Sequence, residues 1–119
     1  GDDCLRKIAT CLQSQLSRPI DLIARYGGEE FICILPDTDS SGAIKVSEDI
    51  RTKIESLNIV HNYAKASQVV TVSVGCFTIN GDANLNVEEV IKNVDHLLYQ
   101  AKHKGRNCVV WDEYKPSQF

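Results

Sequence analysis

Arg25-Tyr26-Gly27-Gly28-Glu29-Glu30-Phe31 joins two short apolar runs, Ile20 to Tyr26 and Phe31 to Leu35. Both runs are rich in Ile, Phe or Tyr, and a glycine pair between such runs signals a β-hairpin. Pro36 and the polar stretch 37–41 close the second strand.

Upstream, Leu5, Ile8, Ala9, Leu12 and Leu16 recur at three- and four-residue spacing, the stripe of an amphipathic helix. Asp2 or Asp3 is placed to cap its start, and Ser17-Arg18-Pro19 ends it, because proline steers the preceding residue away from helix. Downstream, Ala43, Val46, Ile50, Ile54 and Leu57 predict a second helix capped by Asp39 or Ser40. Residues 58–68 read as a mixed connection with a short strand near Ile59-Val60. Val69 to Ile79 reads as a strand, with Gly75 a candidate bulge.

Asn86 predicts the cap of a third helix, with Glu89 placed to complete a capping box. Val87, Val90, Ile91, Val94, Leu97, Leu98 and Ala101 form its stripe, and Gly105 stops it. Cys108 to Trp111 is a last short strand before a frayed tail. Helix, hairpin, helix, strand, helix, strand is the order of an α+β or α/β sandwich domain, with a largely antiparallel central sheet and helices packed on it. No repeat or second domain is evident.

The bulk numbers restrict function. At 119 residues and 43% hydrophobic, the chain fits one domain with a real core. A net charge of -3 argues against a nucleic-acid or membrane-surface binder, either of which would favour a basic face. No apolar run approaches the roughly 20 residues needed to span a bilayer, and the polar start is no secretory signal. The five cysteines (Cys4, Cys11, Cys33, Cys76, Cys108) are odd in number and contain no Cys-x-x-Cys. Buried free thiols in a reducing cytoplasm are expected, rather than disulfides or a zinc site.

Adjacent glutamates after Gly-Gly have two readings. Charges about 4 Å apart repel by only about 1 kcal/mol in water, so a solvated hairpin tip tolerates them. Alternatively, hard carboxylate oxygens suit a divalent cation, and glycines admit a ligand close to the backbone. Lys102 and Arg106 are four residues apart, hence on one face near the C-terminus of the third helix. They complement either the helix dipole or a bound anion.

Gly27-Gly28-Glu29-Glu30-Phe31 resembles the signature of the GGDEF diguanylate cyclases, in its Glu variant. Chance would give such a pentamer in roughly one chain in several thousand of this length. Gly1-Asp2 with Leu5 and Ala9 resembles the family's helix start. Phe31 to Pro36 resembles its apolar strand ending in proline, and Val70-Thr-Val-Ser-Val-Gly75 its Thr-(apolar)-Ser-(apolar)-Gly strand. Asp95, Leu98-Tyr99 and Ala101-Lys102-His-Lys-Gly105-Arg106-Asn107 resemble its final helix.

The resemblance implies that two such domains, each holding GTP, form a homodimer and condense two GTP into cyclic di-GMP. It implies Mg²⁺ (or Mn²⁺) ligated by Glu29 and Glu30, with Glu29 also helping to deprotonate the 3′-hydroxyl. Asp2 would read guanine, Gly27 and Gly28 would admit the nucleotide, and Lys102 and Arg106 would grip the triphosphate. Arg18-Pro19-Ile20-Asp21 falls where similar cyclases bind their product as an inhibitor. Arg18 would pair with phosphate and Asp21 would accept from guanine; the alternative is a surface salt bridge at a strand entry. Asp49 stands where the family often has an arginine supporting that site.

The resemblance begins partway into the family's domain, so residues 1–119 are expected to be its C-terminal two-thirds, roughly. The first strand with its metal-binding Asp, a Phe-Lys phosphate loop and a guanine-reading Asn have no counterpart. The parent is expected to be a cytoplasmic bacterial cyclase with an upstream sensor domain, and the 119 residues alone to be inactive. A sheet without that strand invites dimerisation. The competing expectation is a non-catalytic module that binds cyclic di-GMP or docks partners; an unrelated α+β ligand-binding domain is the third.

Overall fold

A computed structural model describes residues 2–16, 18–26, 30–60, 69–81 and 84–114, with Asp2 described in its backbone alone. The elements are α1 (Asp2–Gln15), β1 (Leu22–Arg25), β2 (Phe31–Ile34), α2 (Ser40–Ser56), β3 (Val74–Ile79), α3 (Val87–His103) and β4 (Val109–Tyr114). The expected order and α+β class hold.

The pairing is mixed rather than largely antiparallel. β1 and β2 form an antiparallel hairpin in the register Leu22↔Ile34 to Arg25↔Phe31. β3 and β4 run parallel, from Val74↔Val109 to Ile79↔Tyr114. The reason is connectivity: α3 carries the chain from one strand back to the start of the next, and such a crossover makes neighbours parallel. Among the described residues these are two separate two-stranded sheets, with one antiparallel bridge, Val60↔Val69, between them in sequence.

Both sheets share a helical layer. Ile8, Cys11 and Leu12 of α1 meet Ile50 and Ile54 of α2, and Ile23, Phe31, Cys33, Val70 and Val72 pack against that cluster. Ile54 is fully enclosed, at 0% exposure. Its replacement by alanine is expected to cost about 2–5 kcal/mol. A urea midpoint lowered accordingly, with an unchanged slope, is the check. Leu57 was expected to extend this stripe but is 40% exposed, because α2 ends one residue before it.

Helix ends follow local chemistry. Asp39 caps α2 by accepting from the Gly42 N–H at 2.8 Å, and Asn86 caps α3 by accepting from Glu89 N–H at 2.8 Å. Among the described residues Glu89 returns no side-chain bond to Asn86, so the capping box is half formed. Asp3 lies inside α1 rather than capping it. Gly105, at φ +117°, takes the left-handed position after α3, and the Arg106 N–H closes the stop on the Ala101 carbonyl at 3.1 Å.

Gly75 is not a bulge. β3 keeps an unbroken register with β4 through it. A Cβ there would lie 2.5 Å from the Leu98 nitrogen and 2.9 Å from the Val94 oxygen, so the glycine lets strand and helix backbones touch. The expected frayed tail is corrected over 112–114, where β4 continues to Tyr114 and pairs with Ile79; residues 115–119 lie outside the described residues. No described helix is long and apolar enough to cross a membrane.

All five cysteines are free. Burial, with the charge of Asp21 second, pushes the Cys33 thiol up to about 11, and burial also raises Cys11 and Cys76. These three stay protonated and unreactive at neutral pH, as expected of packing thiols.

Candidate functional site

The hairpin brings Glu30, just before β2, to Lys102 near the C-terminal end of α3. Past the last strand pair, the Tyr26 N–H donates to the Glu30 carbonyl at 2.7 Å, bracketing positions 27–29. Gly27, Gly28 and Glu29 themselves lie outside the described residues, as does the side chain of Asp2. Glu30 is described, and its Oε2 lies 3.4 Å from Lys102 Nζ. Both side chains are about two-fifths exposed, at 41% and 39%. A pair this open contributes little stability, about 0–1 kcal/mol, so its significance is placement: 72 residues apart in sequence, the two meet.

Arg106 is placed differently from expectation. Spacing put it on one helical face with Lys102, but α3 ends at His103. Arg106 instead occupies the left-handed turn beyond the helix, at φ +64°, followed by Asn107 at +46°. Its side chain is exposed and has no hydrogen-bond or ion-pair partner among the described residues.

Arg18 and Asp21 are brought together, and with each other. Pro19 follows Arg18 in a tight turn closed by the Asp21 N–H on the Arg18 carbonyl at 3.0 Å. Across that turn Arg18 Nη2 meets Asp21 Oδ1 at 2.6 Å, and Nε donates to both carboxylate oxygens at 3.1 and 3.2 Å. Hydrogen bonding from Arg18 holds the Asp21 carboxyl below its usual range. The carboxylate is 5% exposed, whereas Arg18 is 41% exposed. Nη2 also donates to the Pro36 carbonyl at 2.8 Å and Thr38 Oγ1 at 2.6 Å, which sequence reasoning missed. These partners lie 18 and 20 residues away, with no local signal for the contact. Asp49, on α2, pairs with Lys45 at 2.9 Å.

Among the described residues no three His, Cys, Asp or Glu cluster as a metal site would require. Glu30 is nevertheless the right kind of donor, a hard, accessible carboxylate beside a cation that would neutralise an incoming phosphate. An open groove of about 440 Å³ lies between Tyr26 and the first turns of α3, at Val87, Ile91 and Asp95. Among the described residues, none of the predicted site residues lines it.

The described geometry is that of an α+β domain in which Glu30 of a hairpin meets Lys102 in the last turn of a helix. Residues 1–108 match the family described as "Diguanylate cyclase, GGDEF domain". The chain belongs to the GGDEF family. It is 39% identical over 110 residues to the response regulator PleD of Caulobacter vibrioides, covering 92% of this chain and 24% of that protein. It is 38% identical over 109 residues to diguanylate cyclase A of Treponema denticola, covering 92% of this chain and 28% of that one. The chain thus spans about a quarter of the length of these curated relatives.

Solved structures agree. The GGDEF domain of DgcB from Caulobacter crescentus, in complex with c-di-GMP, superposes with a TM-score of 0.75. Identity there is 26%, with 92% of this chain and 63% of that one covered. The active GGEEF domain of a diguanylate cyclase from Vibrio cholerae gives 0.72 at 27% identity, covering 98% and 69%.

Proposed function

We propose that the protein containing this chain is a diguanylate cyclase that condenses two GTP into cyclic di-GMP. The observation that carries this reading is Lys102 beside Glu30 at the Gly-Gly-Glu-Glu hairpin, in a chain of the GGDEF family. Two copies face one another, each holding one GTP. Each 3′-hydroxyl attacks the α-phosphate held by the other copy, loses its proton, and displaces pyrophosphate.

Each side chain has a part. Glu29 accepts the 3′-hydroxyl proton. Glu29 and Glu30 are the carboxylates that would hold Mg²⁺ or Mn²⁺, which when bound neutralises charge on the phosphate oxygens. Gly27 and Gly28 leave room for the nucleotide, Asp2 accepts from the guanine edge, and Lys102 and Arg106 balance the triphosphate. The domain is cytoplasmic and regulated by a sensor segment elsewhere in the protein. The 119 residues alone do not turn over.

Incubating the purified full-length protein with Mg²⁺ and GTP tests this. Cyclic di-GMP and pyrophosphate, identified by mass spectrometry, are expected. GTP left intact, or hydrolysed without the cyclic product, would refute it. Formation of cyclic di-GMP by the isolated chain would refute the statement about the fragment.

A second reading, a non-catalytic cyclic di-GMP receptor, is favoured by the preassembled Arg18 turn. In either case Arg18 is the phosphate and guanine contact. Its Nε and Nη2 are engaged, whereas Nη1 makes no hydrogen bond among the described residues. Asp21 has both oxygens occupied, so it would accept from guanine only by yielding part of this pair. Arg18→Ala is expected to weaken cyclic di-GMP binding by about 10- to 100-fold, the effect of a charged hydrogen bond. Unchanged affinity by calorimetry would remove the product site.

A further inference from the structure

Lys102 is placed by its helix, but Arg106 is not. After Gly105 the backbone stays left-handed through Arg106 and Asn107, at φ +64° and +46°. Asparagine tolerates that region; arginine rarely occupies it unless its surroundings hold it there.

The restraint comes from α2. Asn107 Oδ1 accepts from Arg51 Nη1 at 3.1 Å, and Asn107 Nδ2 donates to Glu55 Oε2 at 2.9 Å. Arg51 and Glu55 are one helical turn apart, so they offer a donor and an acceptor side by side. A primary amide is the group that satisfies both at once. Arg51 is itself fixed, 20% exposed and braced by Glu48 Oε1 at 2.6 Å from its Nε. Beyond the corner, the Cys108 carbonyl accepts from the Val74 N–H at 2.9 Å, tying the other end to β3.

We infer that Arg51 and Glu55 are positioning residues for the triphosphate. They hold the Asn107 amide, and Asn107 fixes the left-handed backbone that carries the Arg106 side chain. This rests on the reading of Lys102 and Arg106 as the triphosphate's cations.

Asn107→Asp in the full-length protein keeps size and backbone tolerance but sets a carboxylate against Glu55. KM for GTP is expected to rise about tenfold while kcat stays within about threefold. Adding Glu55→Gln restores a donor opposite the new carboxylate and is expected to return KM to within about threefold of the original. A loss of fold alone would not be repaired in KM by that second change. Arg51→Lys, a milder variant, is expected to raise KM by about threefold and serves if Asn107→Asp does not fold.

KM unmoved by Asn107→Asp or Arg51→Lys, with Lys102→Ala still raising it, would overturn the positioning role alone. KM unmoved by Lys102→Ala as well would overturn the triphosphate reading and this inference with it.

Discussion

Alanine at Gly75 is expected to destabilise the domain by about 3 kcal/mol or more and to lower its Tm by about 10 °C or more. One methyl group has this effect because everything it meets is backbone. Its Cβ would fall 2.5 Å from the Leu98 nitrogen and 2.9 Å from both the Leu97 carbonyl carbon and the Val94 oxygen. No side chain can rotate away from such a contact, so α3 must lift from β3. Lifting α3 also moves its basic end away from the hairpin, so Lys102 should lose Glu30. Calorimetry is the direct measurement. A Tm within about 2 °C of the original would mean that helix and strand have slack between them.

Glu29→Gln is expected to lower kcat by about 100- to 10,000-fold, the usual worth of a positioned proton acceptor. Glutamine keeps the size of the side chain and removes both the basic oxygen and the charge available to a metal. The hairpin should survive, since the Tyr26 N–H closes onto the Glu30 carbonyl on either side of the substituted position. Cyclic di-GMP binding at Arg18 should therefore be unaffected. That separation distinguishes enzyme from receptor: a receptor would bind its ligand equally before and after, and would have no turnover to lose. A variant with kcat within about threefold of the original would exclude Glu29 from proton transfer.

Much of the fold was legible because its signals are local. The glycine pair marked the hairpin, and Asp39, Asn86 and Gly105 marked helix ends by chemistry confined to one turn. What was not legible depended on partners distant in sequence. Asp112 and Glu113 are both charged, the first exposed and the second half-buried, so nothing in their own neighbourhood shows that β4 continues through them; β3 alongside does that. A glycine within a strand reads equally as a bulge or a close approach, and only α3 decides the case of Gly75.

The site divides the same way. Family resemblance gave Glu30 a metal-binding part and Lys102 a triphosphate-binding part, and the two side chains lie 3.4 Å apart. Arg106 was assigned its position by helical spacing, which fails because the helix stops three residues earlier. The bonds from Asn107 to Arg51 and Glu55 cross 56 and 52 residues, and no periodicity reaches that far.

The contact between Glu30 and Lys102 also bears on how a ligand is admitted. At rest each charge already has its opposite within 3.4 Å. A lone cation competing for Glu30 strands the ammonium, and a lone anion competing for Lys102 strands the carboxylate. A ligand bringing both charges exchanges partners with the pair and leaves nothing uncompensated. If Glu30 and Lys102 hold metal and triphosphate as proposed, the two would favour each other's binding, each lowering the other's dissociation constant by the same factor.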